Sequence, residues 1–259
     1  MPPSGFLPLE HAPKTMRFPA LTTVLSLAAL ALPAASQTLQ PDLEQRYQAG
    51  QYLISLGPST VNQYAGVDLR NGPGSAWIFD FCADFSAGVN NSTHYDVSAG
   101  FGSLTLDQTE DISALLFNTL PVFDGMVRTA IDQSGGNWPN SGYSGYGDLL
   151  AYAAGMQLAL WEIIHDPASG DLASGNFSVD TVPDPDIALG RSDAETFLAG
   201  IAGGWTYQPG FTFQYAKPVD AGNQPVPNGQ DRLWVVIPEP SSALLGGFSL
   251  LSLLRRRRA

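Results

Sequence analysis

The chain has little cysteine, little histidine and few basic residues outside its ends. It contains one cysteine, Cys82, and three histidines among 259 residues. A single cysteine cannot form a disulfide within the chain. The one cysteine and three histidines also lack the spacing of metal ligands, so the sequence does not indicate a zinc site. The region 37–237 carries 22 acidic against six basic side chains, a formal charge of −16. Because it lacks clustered basic residues, direct nucleic-acid binding is not expected.

The first 36 residues are typical of an export signal. Basic residues precede the apolar run 21–32, and small residues suited to cleavage precede Gln37. The run is short for a membrane span, which favours a cleaved segment over an N-terminal anchor. The sequence therefore predicts a signal peptide over 1–36.

The C-terminal segment, 237–259, contains three elements in a fixed order. They are Pro238-Glu239-Pro240, an apolar stretch over 241–254, and the cluster Arg255-Arg256-Arg257-Arg258. As a helix the apolar stretch would be about 21 Å long, which is marginal against a hydrocarbon core of about 30 Å. Arginines favour the cytoplasmic side of a membrane, so the body of the protein is expected outside the cytoplasm.

This C-terminal arrangement resembles a PEP-CTERM sorting signal. Proteins of that kind are processed by exosortase, a transpeptidase in the inner membrane of Gram-negative bacteria that make exopolysaccharide. The resemblance implies export, a transient inner-membrane anchor with a transmembrane helix, and a final location at the cell surface or in the extracellular matrix. A C-terminal anchor that is never cleaved is the alternative.

About 200 residues remain between the two signals, enough for one domain with a sizeable core. Strand patterns lie toward both ends, at 51–55, 76–85, 211–215 and 233–237. Three helical patterns lie between them. The first begins at Asp107, with Glu110 completing a capping box, and stops before Pro121, and the second runs from about Asp148 to Asp166. The third begins at Ser192, with Glu195 in its capping box, and ends at Gly203-Gly204. This order predicts an α+β fold, a β-sandwich or partial barrel with a helical insertion.

Two segments have the composition of loops. Residues 133–147 mix glycine, serine, asparagine, tyrosine and tryptophan, which suits either an ordinary loop or an adaptable contact surface. Residues 218–229 are rich in proline, glycine and asparagine. We expect this second segment to be a connector or hairpin loop ahead of the last strand.

Cys82 lies in a strand pattern whose two faces differ. Alternation places Phe79 and Phe81 on one face, and Asp80, Cys82 and Asp84 on the other. Neighbouring carboxylates disfavour a thiolate and raise the pKa of a thiol. The sequence thus argues against a papain-like nucleophile at this position.

Gln157 lies on the inward side of the predicted helix 148–166. With about 100° between successive residues, it falls on the apolar side that includes Leu149 and Ala153, and the small Ala153 leaves room for another chain. Three residues fall on the opposite side and are expected to face solvent: Glu162, His165 and Asp166. A buried carboxamide needs a partner, so Gln157 is either hydrogen-bonded to a backbone or bonded to Cys82.

Two motifs resemble those of bacterial thioester domains, which occur in surface adhesins. The first is Phe81-Cys82-Ala83, with a smaller residue than usual after the cysteine, and the second is Met156-Gln157-Leu158-Ala159-Leu160-Trp161. The resemblance covers roughly 60–216. It implies that the Cys82 sulfur attacks the Gln157 carboxamide, that ammonia leaves, and that an acyl group is stored as a thioester. Phe81, Ala83, Met156, Leu160 and Trp161 would support the bond.

The resemblance also implies a function and a division of the chain. A surface-protein amine, a polyamine or a polysaccharide hydroxyl would displace the cysteine and become joined to Gln157, so the protein would be a covalent binder and not a turnover enzyme. No cofactor or metal is implied. The division would be an N-terminal segment over 37–60, a thioester-like domain over 61–216, and a connector with the last strand over 217–236.

Three alternatives stay open. The thioester could be purely structural, since it would close a 75-residue loop and stabilise the fold by about 4 kcal/mol, by analogy with a disulfide. The protein could be a passive matrix or carbohydrate-binding protein with an inert Cys82. A cysteine hydrolase would need His94 or His165 beside the thiol, and the expected solvent position of His165 disfavours it.

Overall fold

Three helices in the middle of the chain lie between strands that join into one antiparallel sheet. The computed structural model describes residues 38–39, 43–71, 77–84, 94–97, 104–167, 170–180, 185–208, 211–220, 222–227 and 229–236. The strands are β1 (Thr38–Leu39), β2 (Leu43–Leu56), β3 (Ser59–Asn71), β4 (Trp77–Cys82), β5 (His94–Asp96), β6 (Phe177–Val179), β7 (Gln214–Val219) and β8 (Arg232–Val236). The helices are α1 (Leu106–Gln133), α2 (Tyr146–His165) and α3 (Pro185–Ala202).

The sheet has the strand order β1-β5-β7-β8-β4-β3-β2-β6, and neighbouring strands are antiparallel. In the described part of the chain it stays open, with β1 and β6 at its two ends. The segment between β5 and β7 supplies all three helices and the short edge strand β6. The predicted α+β class is confirmed as an open sheet, or partial barrel, with a helical insertion.

A long hairpin forms one side of the sheet. Strands β2 and β3 pair from Leu56 opposite Ser59 to Leu43 opposite Arg70, and Gly57 turns the chain between them at a φ of 53°. The sequence predicted only the part of β2 over 51–55, and β3 was not predicted. The predicted boundary between the N-terminal segment (37–60) and the thioester-like domain (61–216) falls inside β3, after the second residue of that strand.

Helix α1 differs from its prediction at both ends. Its N-cap is Thr105, which forms a capping box with Gln108, so the predicted start at Asp107 is wrong. The helix also continues through Pro121 to Gln133. A proline inside a helix costs about 3 kcal/mol. Here its ring is exposed while Phe123, beyond it, is fully buried, so packing of the second half outweighs that cost.

Two further boundaries differ. Helix α3 begins at Pro185, a residue suited to the first helical position, and not at Ser192. It ends at Ala202, just before the predicted Gly203-Gly204 stop. Strand β7 begins at Gln214, so most of the predicted strand 211–215 precedes it. Strand β8 matches its prediction to within one residue, and the loop before it joins two paired strands as expected.

The helices cover one face of the sheet, where the large apolar core lies. Phe79 and Phe81 of β4 belong to this core together with α1, α2 and α3 residues. The opposite face carries a small apolar cluster of Ile78, Tyr95, Ala216 and Trp234, next to charged side chains. The predicted alternation in β4 is therefore confirmed, although its polar face is also largely buried.

Several predictions fall outside the described residues. They include the signal peptide and the sorting signal with its Pro-Glu-Pro motif, apolar stretch and arginine cluster. In the ranges that the structure describes, no helix is long and apolar enough to cross a membrane. The loop over 133–147 is described as a series of turns, and its Trp138 ring packs 5.4 Å from the ring of Trp77.

Candidate functional site

The side chain of Gln157 meets the backbone of Cys82. Its Oε1 accepts a hydrogen bond from the Cys82 N–H at 2.9 Å, and its Nε2 donates to the Cys82 carbonyl at 2.8 Å. Gln157 is 1% exposed, whereas Cys82 is partly exposed at the end of β4. Because both amide atoms bind one residue, the carboxamide carbon lies beside the residue that carries the thiol.

The pairing of β3 with β4 ends before Cys82, which leaves space for the Gln157 amide beside that residue. Strands β3 and β4 pair only as far as Asp68 opposite Asp80, while Cys82 still pairs with Arg232 of β8. The carboxamide of Gln157 takes the place that a β3 peptide group would occupy beside Cys82. Since α2 packs against β2 and β3, the helix is positioned to insert this side chain where the strands separate.

The other motif residues form a buried surround. The indole N–H of Trp161 donates to the same Cys82 carbonyl at 2.8 Å, and the Ala83 N–H donates to the Asp231 carbonyl at 2.9 Å. Five motif residues are buried: Phe81, Ala83, Met156, Leu160 and Trp161. The thiol itself donates to the Asp84 carbonyl at 3.4 Å. The backbone on both sides of the thiol is thus fixed.

Cys82 and Gln157 both line a cleft of about 280 Å³ between the hairpin and the end of β4. The remaining lining residues are polar apart from Gly66: Arg46, Gln48, Gln63, Tyr64, Asp68, Gln230 and Arg232. Tyr64 is 52% exposed and stands at the outer part of this surface. We call this space the Cys82 cleft. Cys82 and Gln157 therefore both form part of the wall of one cleft.

Charged side chains form a network on the same face of the sheet. Arg46 donates two hydrogen bonds to Asp68, at 2.8 and 3.2 Å, and Arg70 pairs with Asp80. Arg232 lies 3.7 Å from a carboxylate oxygen of each aspartate. Asp68 and Asp80 face each other directly in the ladder, so the three arginines offset two opposed negative charges.

The surroundings of the thiol favour its neutral form. Burial raises the pKa of the Cys82 thiol well above its ordinary value. The Arg232 guanidinium opposes this shift, while the carboxylates of Asp80, Asp84 and Asp68 add to it. The expected effect of neighbouring carboxylates on this pKa is therefore present, but burial is the larger cause.

The predicted solvent side of α2 is wrong for Glu162. This residue is 1% exposed, and its Oε1 accepts a hydrogen bond from the Asp171 N–H at 3.2 Å. His165 and Asp166 are partly buried, with the His165 ring stacked on Phe177 and Asp166 accepting from the Asn176 N–H. Helix α2 is apolar around most of its circumference, so it is buried on several sides and not along one stripe.

Neither histidine of the body lines the Cys82 cleft, within the part of the chain that is described. His94 lies in β5, and His165 ends α2, where burial lowers the pKa of its imidazole. No group of three or more His, Cys, Asp or Glu side chains able to hold a metal ion occurs among the described residues.

Sequence reasoning missed the charged lining of the cleft. Arg46, Asp68 and Arg232 come from three strands, and β3 was not predicted at all. A usable signal was present: charged residues alternate with apolar ones in Val67-Asp68-Leu69-Arg70 and in Phe79-Asp80-Phe81. Such alternation with opposite charges predicts paired side chains on a shared sheet face.

The arrangement meets one requirement for attack of the thiol on the carboxamide, because the amide is held against the backbone of the residue that carries the sulfur. The Cys82 N–H polarises the Gln157 carbonyl, and the hydrogen bond from Gln157 Nε2 to the Cys82 carbonyl limits movement of the amide. Positioning of this kind can replace a large part of a reaction barrier without a strongly activated nucleophile.

Comparisons with known proteins add no relative: no family model, no curated protein and no solved structure matches the chain.

Proposed function

We propose that this protein binds a target covalently, through an internal thioester between Cys82 and Gln157 that an amine or a hydroxyl attacks. The observation that supports this most is the pair of hydrogen bonds between the Gln157 carboxamide and the backbone of Cys82. Each molecule would react once, as a covalent binder and not as a turnover enzyme.

In the first step, the Cys82 sulfur attacks the carboxamide carbon of Gln157. The carbon–nitrogen bond breaks, the thiol proton leaves with the nitrogen as ammonia, and a carbon–sulfur bond remains. Negative charge develops on Oε1, to which the Cys82 N–H already donates at 2.9 Å. Close positioning compensates for a thiol that stays protonated at neutral pH.

The same surroundings favour storage of the acyl group. A thiol with a raised pKa is a slower leaving group, so attack by water on the thioester would be slow. Trp161 is buried against the Cys82 carbonyl and shields the bond from the helix side. The Cys82 cleft leaves one side open to a nucleophile that binds there.

The sequences near the two ends support a proposal for the location of the protein. We propose that the chain is exported, anchored briefly in the inner membrane and processed by exosortase, because 237–259 contains the Pro-Glu-Pro motif, the apolar stretch and the four arginines in order. A covalent binder of this type would act as an adhesin at the cell surface or within the extracellular matrix. Mapping the C-terminal peptide of the surface protein tests this: we expect Arg255–Arg258 to be absent, and their retention would refute processing.

A second candidate rests on the same hydrogen bonds. The Gln157 amide satisfies both its donor and its acceptor on the Cys82 backbone and joins α2 to β4, as a purely structural glutamine would. On this alternative the protein is a passive matrix protein with an inert thiol, or its thioester only stabilises the fold.

Treatment with methylamine separates the candidates. We expect one methylamine to be incorporated at Gln157 and one thiol to be released at Cys82, because amine attack breaks the carbon–sulfur bond. Peptide mass mapping locates the label, and thiol titration measures the sulfur.

The matched control is Cys82→Ala. Alanine keeps the backbone N–H and carbonyl that hold Gln157, so the amide position is retained while the sulfur is lost. Labelling of Gln157 in this variant, or no labelling of the wild type, would contradict a reactive thioester.

A further inference from the structure

The Cys82 cleft has a charge opposite to that of the protein body. The region 37–237 has a formal charge of −16, yet the charged residues that line the cleft are two arginines, Arg46 and Arg232, and one aspartate, Asp68. Asp80 and Asp84 act on the thiol electrostatically, and Asp80 lies 3.7 Å from Arg232, but neither aspartate lines the cleft. A positive site in an acidic protein favours anionic groups over cationic ones.

Arg232 retains capacity to bind an anion. Its side chain is 5% exposed and lines the cleft, but its guanidinium nitrogen is 3.7 Å from each neighbouring carboxylate, too far for a normal hydrogen bond. Its buried Nε has no hydrogen-bond acceptor among the residues that the structure describes. A buried donor without an acceptor costs free energy, and a carboxylate that reaches the guanidinium from the cleft would offset part of that cost.

Arg46 offers a second set of donors nearer the surface. Its side chain is 35% exposed, and its two hydrogen bonds to Asp68 use two of its five N–H groups. The same bonds engage both oxygens of Asp68, so this carboxylate is poorly placed to receive a cationic amine. In the cleft, N–H groups of Arg46 therefore remain able to bind an anion, whereas the Asp68 carboxylate that could bind a cation is already paired.

The uncharged lining suits a sugar. Two strand amides, Gln48 and Gln63, line the cleft with Gln230, which is buried and donates its Nε2 to the Asp84 carbonyl at 2.9 Å; amides can both donate to and accept from hydroxyl groups. Tyr64, a residue that is 52% exposed, adds an aromatic side chain to the same cleft. Such a ring offers an apolar face with a polar tip.

We propose that the acceptor of the Gln157 acyl group is a hydroxyl of an acidic sugar whose carboxylate is bound by Arg46 and Arg232. The inference rests on the proposed thioester and specifies its target. The sugar oxygen bonds to the carboxamide-derived carbon of Gln157, the carbon–sulfur bond breaks, and the hydroxyl proton passes to the Cys82 sulfur. The products are an ester at Gln157 and a free thiol.

The experiment compares two forms of one sugar on the full-length exported protein. Oligogalacturonate carries carboxylates, while its methyl ester has the same ring hydroxyls without the charge. Ester formation at Gln157 is followed by mass spectrometry, with putrescine as a cationic competitor. We expect the acid to react about tenfold faster than its methyl ester, as one charge-assisted hydrogen bond of about 1.4 kcal/mol would give.

A matched pair of variants tests the role of Arg46. In Arg46→Gln we expect the acid-to-ester rate ratio to fall about tenfold. In Arg128→Gln it should not change, because Arg128 has a similar exposure of 38% and a similar 2.8 Å bond to Asp124 but does not line the cleft. The ratio measured on the wild type does not depend on how either variant folds.

The outcomes distinguish the two proposals. A wild-type protein that never loses ammonia refutes the thioester itself. A protein that loses ammonia but reacts equally with both sugars, or faster with putrescine, keeps the thioester and overturns the acidic-sugar target.

Discussion

Replacing Asp80 with alanine is expected to lower the free energy of unfolding by about 3 to 5 kcal/mol. The Asp80 side chain is fully buried and pairs with Arg70, and Arg232 lies 3.7 Å from it. Removing its carboxylate takes the ion-pair partner from Arg70 and one of two carboxylates at 3.7 Å from Arg232, and both guanidinium groups are buried. The cost comes mainly from the uncompensated charge and not from the lost contact.

Urea unfolding followed by tryptophan fluorescence measures this effect as a shift in midpoint at constant slope. The control is Asp124→Ala, which removes a 15% exposed aspartate of α1 that pairs with the 38% exposed Arg128 one turn away. We expect that control to lose less than about 1 kcal/mol. Equal losses in the two variants would show that the charge network on the sheet does not stabilise the fold as described.

Replacing Gly66 with alanine is the second change with a large expected effect. A Cβ atom at Gly66 would lie 2.0 Å from the Tyr47 carbonyl oxygen and 2.7 Å from the Gln48 Cα, both of them backbone atoms in the paired strand β2. Backbone cannot move aside without disturbing the hairpin, so we expect the free energy of unfolding to fall by about 3 kcal/mol. Because Gly66 lines the Cys82 cleft, methylamine labelling should fall as well.

Gly125→Ala is the matched control for this change. Gly125 lies inside α1, and a Cβ there would meet no atom within 4 Å. Alanine in a helix is favoured over glycine by about 0.5 to 1 kcal/mol, so this variant should be more stable than the wild type. The two substitutions are thus predicted to shift the urea midpoint in opposite directions, and a stable Gly66→Ala protein would disprove the close approach of β2 and β3.

The helices were predictable where one sequence pattern dominates. Helix α2 lies within one or two residues of its predicted ends because its apolar run is long and bounded by acidic residues. Helix α1 was predicted to stop at Pro121 because local sequence shows the cost of a proline. The local sequence does not show the tertiary packing of Phe123 and Val127, which compensates for the cost of the proline.

The strands were harder to predict because much of their polar face is buried. Strand β3 contains Asn62, Gln63 and Gly66, which weaken a strand pattern, and it is stabilised by its partner β2. Likewise, Glu162 was expected in solvent since a helical projection shows only the residues of that helix. Its burial involves the chain at Asp171, which lies beyond the end of the helix and nine residues after Glu162.

Of the site, the sequence indicated the two residues of the proposed bond but not their surroundings. The motif resemblance selected Cys82 and Gln157, and the structure brings the amide of one to the backbone of the other. The Arg46, Asp68 and Arg232 lining depends on strand register, which was not predicted. The proposed target therefore rests on the fold, whereas the proposed bond between Cys82 and Gln157 was first suggested by the sequence motifs.

The mass of the purified protein, before any nucleophile is added, tests the proposed Cys82–Gln157 bond most directly. After its termini have been mapped, we predict a mass lower by one ammonia than the mass calculated from the sequence between them, with no titratable thiol. Cys82→Ala and Gln157→Ala should each show no such loss. A full mass with one titratable thiol at Cys82 in the wild type would contradict the account.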